Sequence, residues 1–166
     1  MKRLLFLFAC LAVLSGCADQ EKQGLADQFD QLQRQHDSIA KVHTNFKSVH
    51  GEMASKHQEF TETLEGMEIK DSTILTDVAK HEAILKRHEA LLASHDEMIA
   101  AHQELKEGFG EKSAVEMKAQ LDEMTSTHDK LMNEHAEMEQ EHQTMEAEHL
   151  AIVAKVPVTE EATDSN

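Results

Sequence analysis

Histidine dominates the chemistry this chain can offer. All twelve histidines fall into three runs of four: His36, His43, His50 and His57; His81, His88, His95 and His102; His128, His135, His142 and His149. Every step within a run is seven residues. Neutral imidazole is the commonest protein ligand for zinc, copper and nickel, so all twelve are candidate ligands for ions of that class. Methionine follows the same phase. His50–Met53, His95–Met98, His135–Met138 and His142–Met145 are three apart, and Met53–His57, Met98–His102, Met124–His128, Met138–His142 and Met145–His149 are four apart. Both spacings put nitrogen and sulfur donors on one helical face. Thioether with imidazole and no thiolate favours Cu(I) or Ag(I) over zinc. Met53, Met98, Met138 and Met145 are therefore candidate soft co-ligands, against the plainer reading that they fill a core.

The elements that position these residues follow from the same period. An apolar residue stands three places after almost every histidine: Ile39, Phe46, Met53 and Phe60, then Ile84, Leu91, Met98 and Leu105, then Leu131, Met138, Met145 and Ile152. Alternating steps of three and four define the a and d positions of a coiled coil, with His at a. Glycines and capping residues interrupt the pattern at Gly66–Ser72 and Gly108–Ser113, and Pro157 ends it. The spacing predicts helices over about 22–67, 73–107 and 114–155 within a bundle spanning 23–156. Short turns make sequential helices antiparallel, so the expected fold is all-α, an antiparallel three-helix coiled-coil-like bundle. Lys80 and Arg87 at g of the second helix complement Glu134, Glu141 and Glu148 at g of the third. Val78, Leu85, Leu92 and Ile99 at e widen the apolar face of the second helix.

A register centred on the two turns pairs His57 with His81 and His36 with His102. It expects three mixed layers, His43/His95/His128, His50/His88/His135 and His57/His81/His142. Antiparallel seams also oppose a to d, which would interleave histidines with apolar residues instead. Helical periodicity accommodates both arrangements.

Composition narrows the partners. Tyr and Trp are absent, with six Phe and one Pro, which suits long helices over a thick aromatic core. A formal charge of −16 argues against nucleic-acid phosphates and against electrostatic binding to anionic lipid, and it concentrates cations. A helical seam also allows self-association.

Residues 1–16 read as a leader. Met1-Lys2-Arg3 is basic, Leu4–Leu14 is an apolar run too short to span a bilayer, and Leu14-Ser15-Gly16-Cys17 follows. These four residues resemble the lipobox of bacterial lipoprotein precursors. The resemblance implies cleavage before Cys17, acylation of Cys17 and a lipid anchor in the cell envelope. Ala18 resembles the residue of an outer-membrane address facing the periplasm, since Asp there marks retention in the inner membrane in the enterobacterial pattern. Cys10 leaves with the leader and Cys17 is blocked, so the mature chain has no free thiol. Losing Lys2 and Arg3 would deepen the formal charge to −18. Residues 17–22 read as a lipidated tether and 157–166 as a polar, disordered tail.

Buried imidazoles need partners or they cost stability. Metal ions, water, carboxylates and other histidines can each supply them. The His and Met spacings are similar to those of periplasmic silver- and copper-binding proteins, and a ligand-lined bundle is similar in plan to Cys-lined copper storage bundles. These observations favour an envelope lipoprotein that binds, buffers or stores Cu, Zn or Ni. The alternative is a structural or pH-responsive coiled-coil spacer without metal. Murein-lipoprotein-like chains also join a lipobox to heptads, but this sequence ends Asp164-Ser165-Asn166 without their terminal Lys. Haem held by two axial histidines is a further alternative, although no attachment motif is present. The phosphate loops, nucleophile elbows and zinc-protease signatures of enzymes are missing from the sequence, so no catalysis is expected. Glu residues beside the histidines read as solvated helix flanks.

Overall fold

The computed structural model describes residues 2–65, 67, 69 and 71–155, with side chains from residue 19 onward. The described chain is all-α. Helix α1 covers Lys2–Glu65, α2 Ser72–Glu104 and α3 Ala114–Lys155, and a single 3-10 turn covers Phe109–Glu111. The lipobox and its Cys17 lie where side chains are outside the described residues, as does the whole tail 157–166. Among the described residues, no helix is long and apolar enough to cross a membrane.

Local chemistry sets the helix starts. Asp71 caps α2: its carboxylate accepts from the Thr73 amide at 2.9 Å and the Thr73 hydroxyl at 2.7 Å, filling a donor that the first turn leaves open. A capping box opens α3. The Ser113 amide donates to the Glu116 carboxylate at 2.9 Å, and the Glu116 amide donates back to Ser113 Oγ at 3.4 Å. Gly108 takes φ 75°, a left-handed conformation that other residues rarely adopt. It ends the 105–107 turns and lets the chain swing into the 3-10 turn.

Two compact units make up the chain: Met1–Val42 with His95–Met132, and His43–Ser94 with Asn133–Asn166. The core of the first unit gathers Phe29, Phe109, Met117, Leu121 and Met124. Phe29 and Phe109 stack with ring centroids 3.9 Å apart. Gln120 fastens the turn above them, donating to the Leu105 carbonyl at 2.9 Å and accepting from Lys112 Nζ at 2.6 Å. It thereby satisfies a carbonyl that the end of α2 leaves open.

The second unit is built of apolar layers. One holds Phe46, Leu92 and Met138, a second holds Met53, Leu85 and Met145, and a third closes the end with Phe60, Leu64, Ile74 and Ile152. Burying each such side chain contributes about 1.5–3 kcal/mol. The seam of α2 differs here from the sequence expectation. Leu85 and Leu92, at e, are buried, while Ile84 and Leu91, at d, only pack against the layers. Counted from His88 toward His81, Leu85 lies three residues on, as Met53 does counted from His50 toward His57. On α2 the buried neighbour is thus the one three places before a histidine, Leu85 before His88.

Candidate metal centres

Between the apolar layers the histidines meet in layers of their own. In the first unit, His36, His102 and His128 bring ligand atoms within 4.8 Å of one another. In the second, His50/His88/His142 and His57/His81/His149 do the same. All nine rings are buried except His149, which is half-buried. His43 and His135 pair in the second unit through Nδ1 and Nε2 at 3.0 Å, and His95 is fully buried in the first.

The expected pairing of α1 with α2 is found. His36 meets His102 with ring centroids 5.6 Å apart, His50 meets His88 at 5.6 Å and His57 meets His81 at 5.7 Å. The expected place of α3 is corrected by one heptad. His128 joins His36 and His102 rather than His43 and His95. His142 joins His50 and His88 in place of His135, and His149 joins His57 and His81 in place of His142. The cause lies in the turn before α3. Phe109 enters the core on Phe29, and Met117 and Leu121 pack on the same cluster. The first turns of α3 are consumed in that core before His128 arrives. Histidines thus share layers with histidines, which resolves the choice between stacking and interleaving.

The richest geometry is at His50/His88/His142. His142 Nε2 lies 3.1 Å from His50 Nδ1 and 3.1 Å from His88 Nδ1. His88 Nε2 sits 2.6 Å from a Glu141 carboxylate oxygen. An ionised carboxylate only accepts, so His88 carries its proton on Nε2, and in the neutral ring Nδ1 is a lone pair. That lone pair faces His142. A tetrahedral ion with bonds of about 2.0–2.1 Å spaces its nitrogens roughly 3.3–3.4 Å apart, so both edges at His142 are within a few tenths of an ångström of that spacing, and the three ligand atoms all lie within 4.8 Å of one another. Glu141 stands behind His88 as carboxylates stand behind metal-bound imidazoles, orienting the ring and raising its basicity.

His57/His81/His149 repeats the plan. His81 Nε2 meets Glu148 at 2.5 Å, and its other nitrogen, Nδ1, is buried without a hydrogen-bond partner. His57 Nδ1 and His149 Nε2 lie 3.0 Å apart. His36/His102/His128 is different. His36 Nδ1, His102 Nδ1 and both ring nitrogens of His128 are buried with no hydrogen-bond partner.

Burial disfavours the charged form of eight of these nine rings. Burial pushes His128, His142 and His149 down to about 4, helped by the neighbouring histidines. Burial also lowers His36, His50, His57, His88 and His102, and at His88 the hydrogen bond to Glu141 opposes the fall. Burial alone would raise the Glu141 carboxyl, but hydrogen bonds from Arg87 and His88 outweigh it and hold it low. Neutral imidazole is the ligating form.

Two carboxylates differ from the sequence expectation. Glu141 and Glu148 are hydrogen-bonded to buried imidazoles, rather than being plain solvated flanks. Spacing marks their position, since each immediately precedes a histidine of the third run, but not the imidazole that faces it. Arg87 pairs with Glu141, as the g-position charges suggested, whereas Lys80 bonds Asp77 on its own helix at 2.8 Å. Of the soft candidates, Met53, Met138 and Met145 fill apolar layers beside the triads, and Met98 is half-buried. A groove lined by Glu137, Glu141 and Glu148 leads to His81, an acidic approach suited to cations.

No protein-family model, curated protein or solved structure matches this chain.

Proposed function

We propose that this protein binds transition-metal ions of the copper, zinc or nickel class in a ladder of three-histidine sites. The scaffold is read as an antiparallel coiled-coil-like bundle with His at a positions. The chain is read as an envelope lipoprotein anchored through Cys17 and facing the periplasm, where it buffers or stores metal. The observation that carries the reading is the repeated convergence of three buried imidazoles, several of whose ring nitrogens have no partner. Each such atom costs about 1–3 kcal/mol if left unsatisfied, and an ion bound at His36/His102/His128 would satisfy one on each ring at once. Many similar sites suit storage, whereas a catalytic centre needs only one distinctive site.

The test is metal analysis of the full chain, made with its own leader and without a His tag. The protein is loaded separately with Cu(I), Cu(II), Zn, Ni and Ag(I), and excess ion is removed. Retention of several ions per chain, with one lost on changing His50, His88 and His142 to Leu, is expected. A folded, helical protein that retains none would overturn the reading. The ring-to-ring bonds at His43–His135 and His57–His149 would then favour the metal-free, pH-responsive spacer. Mass measurement of the mature N-terminus tests the anchor separately.

A further inference from the structure

The triads differ in what stands behind them, and the difference follows one heptad position of α3. Read toward the N-terminus in steps of seven, that position holds Glu148, Glu141, Glu134, Thr127 and Gln120. Glu148 bonds His81 and Glu141 bonds His88. Thr127, one residue before His128, holds no carboxylate, and its hydroxyl donates to the Glu123 carbonyl at 3.0 Å. Gln120 is committed to Leu105 and Lys112. Among the described residues, no carboxylate is hydrogen-bonded to the first-unit triad: Asp37, Glu123 and Asp129 act on His36, His102 and His128 only through space, and His36 Nδ1, His102 Nδ1 and both ring nitrogens of His128 are buried without a partner.

Charge makes this a matter of ion class. The cost of moving an ion out of water grows as the square of its charge, so a dication costs roughly four times a monocation of equal size. A carboxylate one imidazole away offsets part of that cost and strengthens the ligand. A neutral trio without one is suited to a single positive charge. Imidazole itself ligates copper and zinc alike, so the surroundings decide between them.

We propose that the triads form two ion classes: His50/His88/His142 and His57/His81/His149, backed by Glu141 and Glu148, take divalent ions such as Zn(II), and His36/His102/His128 takes a monovalent soft ion, Cu(I) or Ag(I). This rests on the metal-binding reading above. It assigns Thr127 as the position that sets the class of the first-unit site.

The experiment loads the full chain with Zn(II) or Ag(I), counts retained ions, and follows the ring nitrogens by NMR with 15N-labelled histidine. In the wild type, Zn(II) is expected to shift the second-unit rings and Ag(I) the rings of His36, His102 and His128. Thr127→Glu is expected to add one Zn(II) per chain at the first-unit triad and to tighten Zn(II) there at least about tenfold. Glu141→Gln is expected to weaken Zn(II) at His50/His88/His142 by about 10–100-fold and to leave Ag(I) at the first unit unchanged. Retention of neither ion would overturn the metal reading and this proposal with it. Equal Zn(II) occupancy of both classes in the wild type, or Zn(II) affinity indifferent to both substitutions, would overturn this proposal and leave the metal reading standing.

Discussion

The His36/His102/His128 and His50/His88/His142 layers use the same residue at the same heptad position, yet they are different environments. In the second unit, hydrogen bonds link His50, His88 and His142, and Glu141 fixes the tautomer of His88. In the first-unit layer, four ring nitrogens are buried without a hydrogen-bond partner, against two, His50 Nε2 and His142 Nδ1, in the second. A repeat in sequence is therefore not a repeat in energetics. What separates the two layers is one side chain per heptad on α3, carboxylate in one and hydroxyl in the other.

Acid gives the largest expected effect and acts on both units. His36, His50, His57, His88 and His102 are lowered in the folded chain, as are His128, His142 and His149, these three to about 4, against 6.5 when exposed. Below 6.5 the unfolded chain binds more protons than the folded one. Their contribution is thus complete above about pH 6.5 and drains away as pH falls toward 4. Thermal melts of metal-free protein should drop by more than about 10 °C across that window. A flat profile would mean the rings are not buried as neutral bases.

Phe109→Ala comes next. It removes the ring stacked on Phe29 and should cost about 3–5 kcal/mol. Hydrogen exchange should rise in Met1–Val42 and His95–Met132 first. Uniform loss of protection throughout the chain would erase the distinction between the units.

Leucine triples measure the contrast itself. Changing His36, His102 and His128 to Leu removes atoms that lack partners and should stabilise metal-free protein by about 2–4 kcal/mol. The same change at His50, His88 and His142 should fall within about 1 kcal/mol of wild type, because it removes only two unpartnered nitrogens, His50 Nε2 and His142 Nδ1, while it discards hydrogen bonds and strips Glu141 of His88. Chemical denaturation in chelator reads both, and the reverse ranking would contradict the account of the two layers. Arg87→Met is the smallest expected effect. Its exposed pair with Glu141 should change stability by about 0–1 kcal/mol, with urea midpoints as the measure.

The sequence by itself determined the helical class, the in-phase histidines and the pairing of His36 with His102 and of His57 with His81. A period of seven and symmetric turn signals are enough for those, because they depend only on local spacing. The capping box at Ser113 and Glu116 was equally local. Tertiary structure decided the rest. Phe109 folding onto Phe29 moved α3 by a heptad, and no periodic pattern distinguishes registers that differ by a whole period. Packing put Leu85 rather than Ile84 in the layer with Met53 and Met145, three places before His88 rather than three after His81, and a period of seven does not choose between those two neighbours. The role of Glu141 and Glu148 appeared only once another helix brought imidazoles to them. A carboxylate's partner is a fact of packing, and one-dimensional spacing on α3 names the position without naming what faces it.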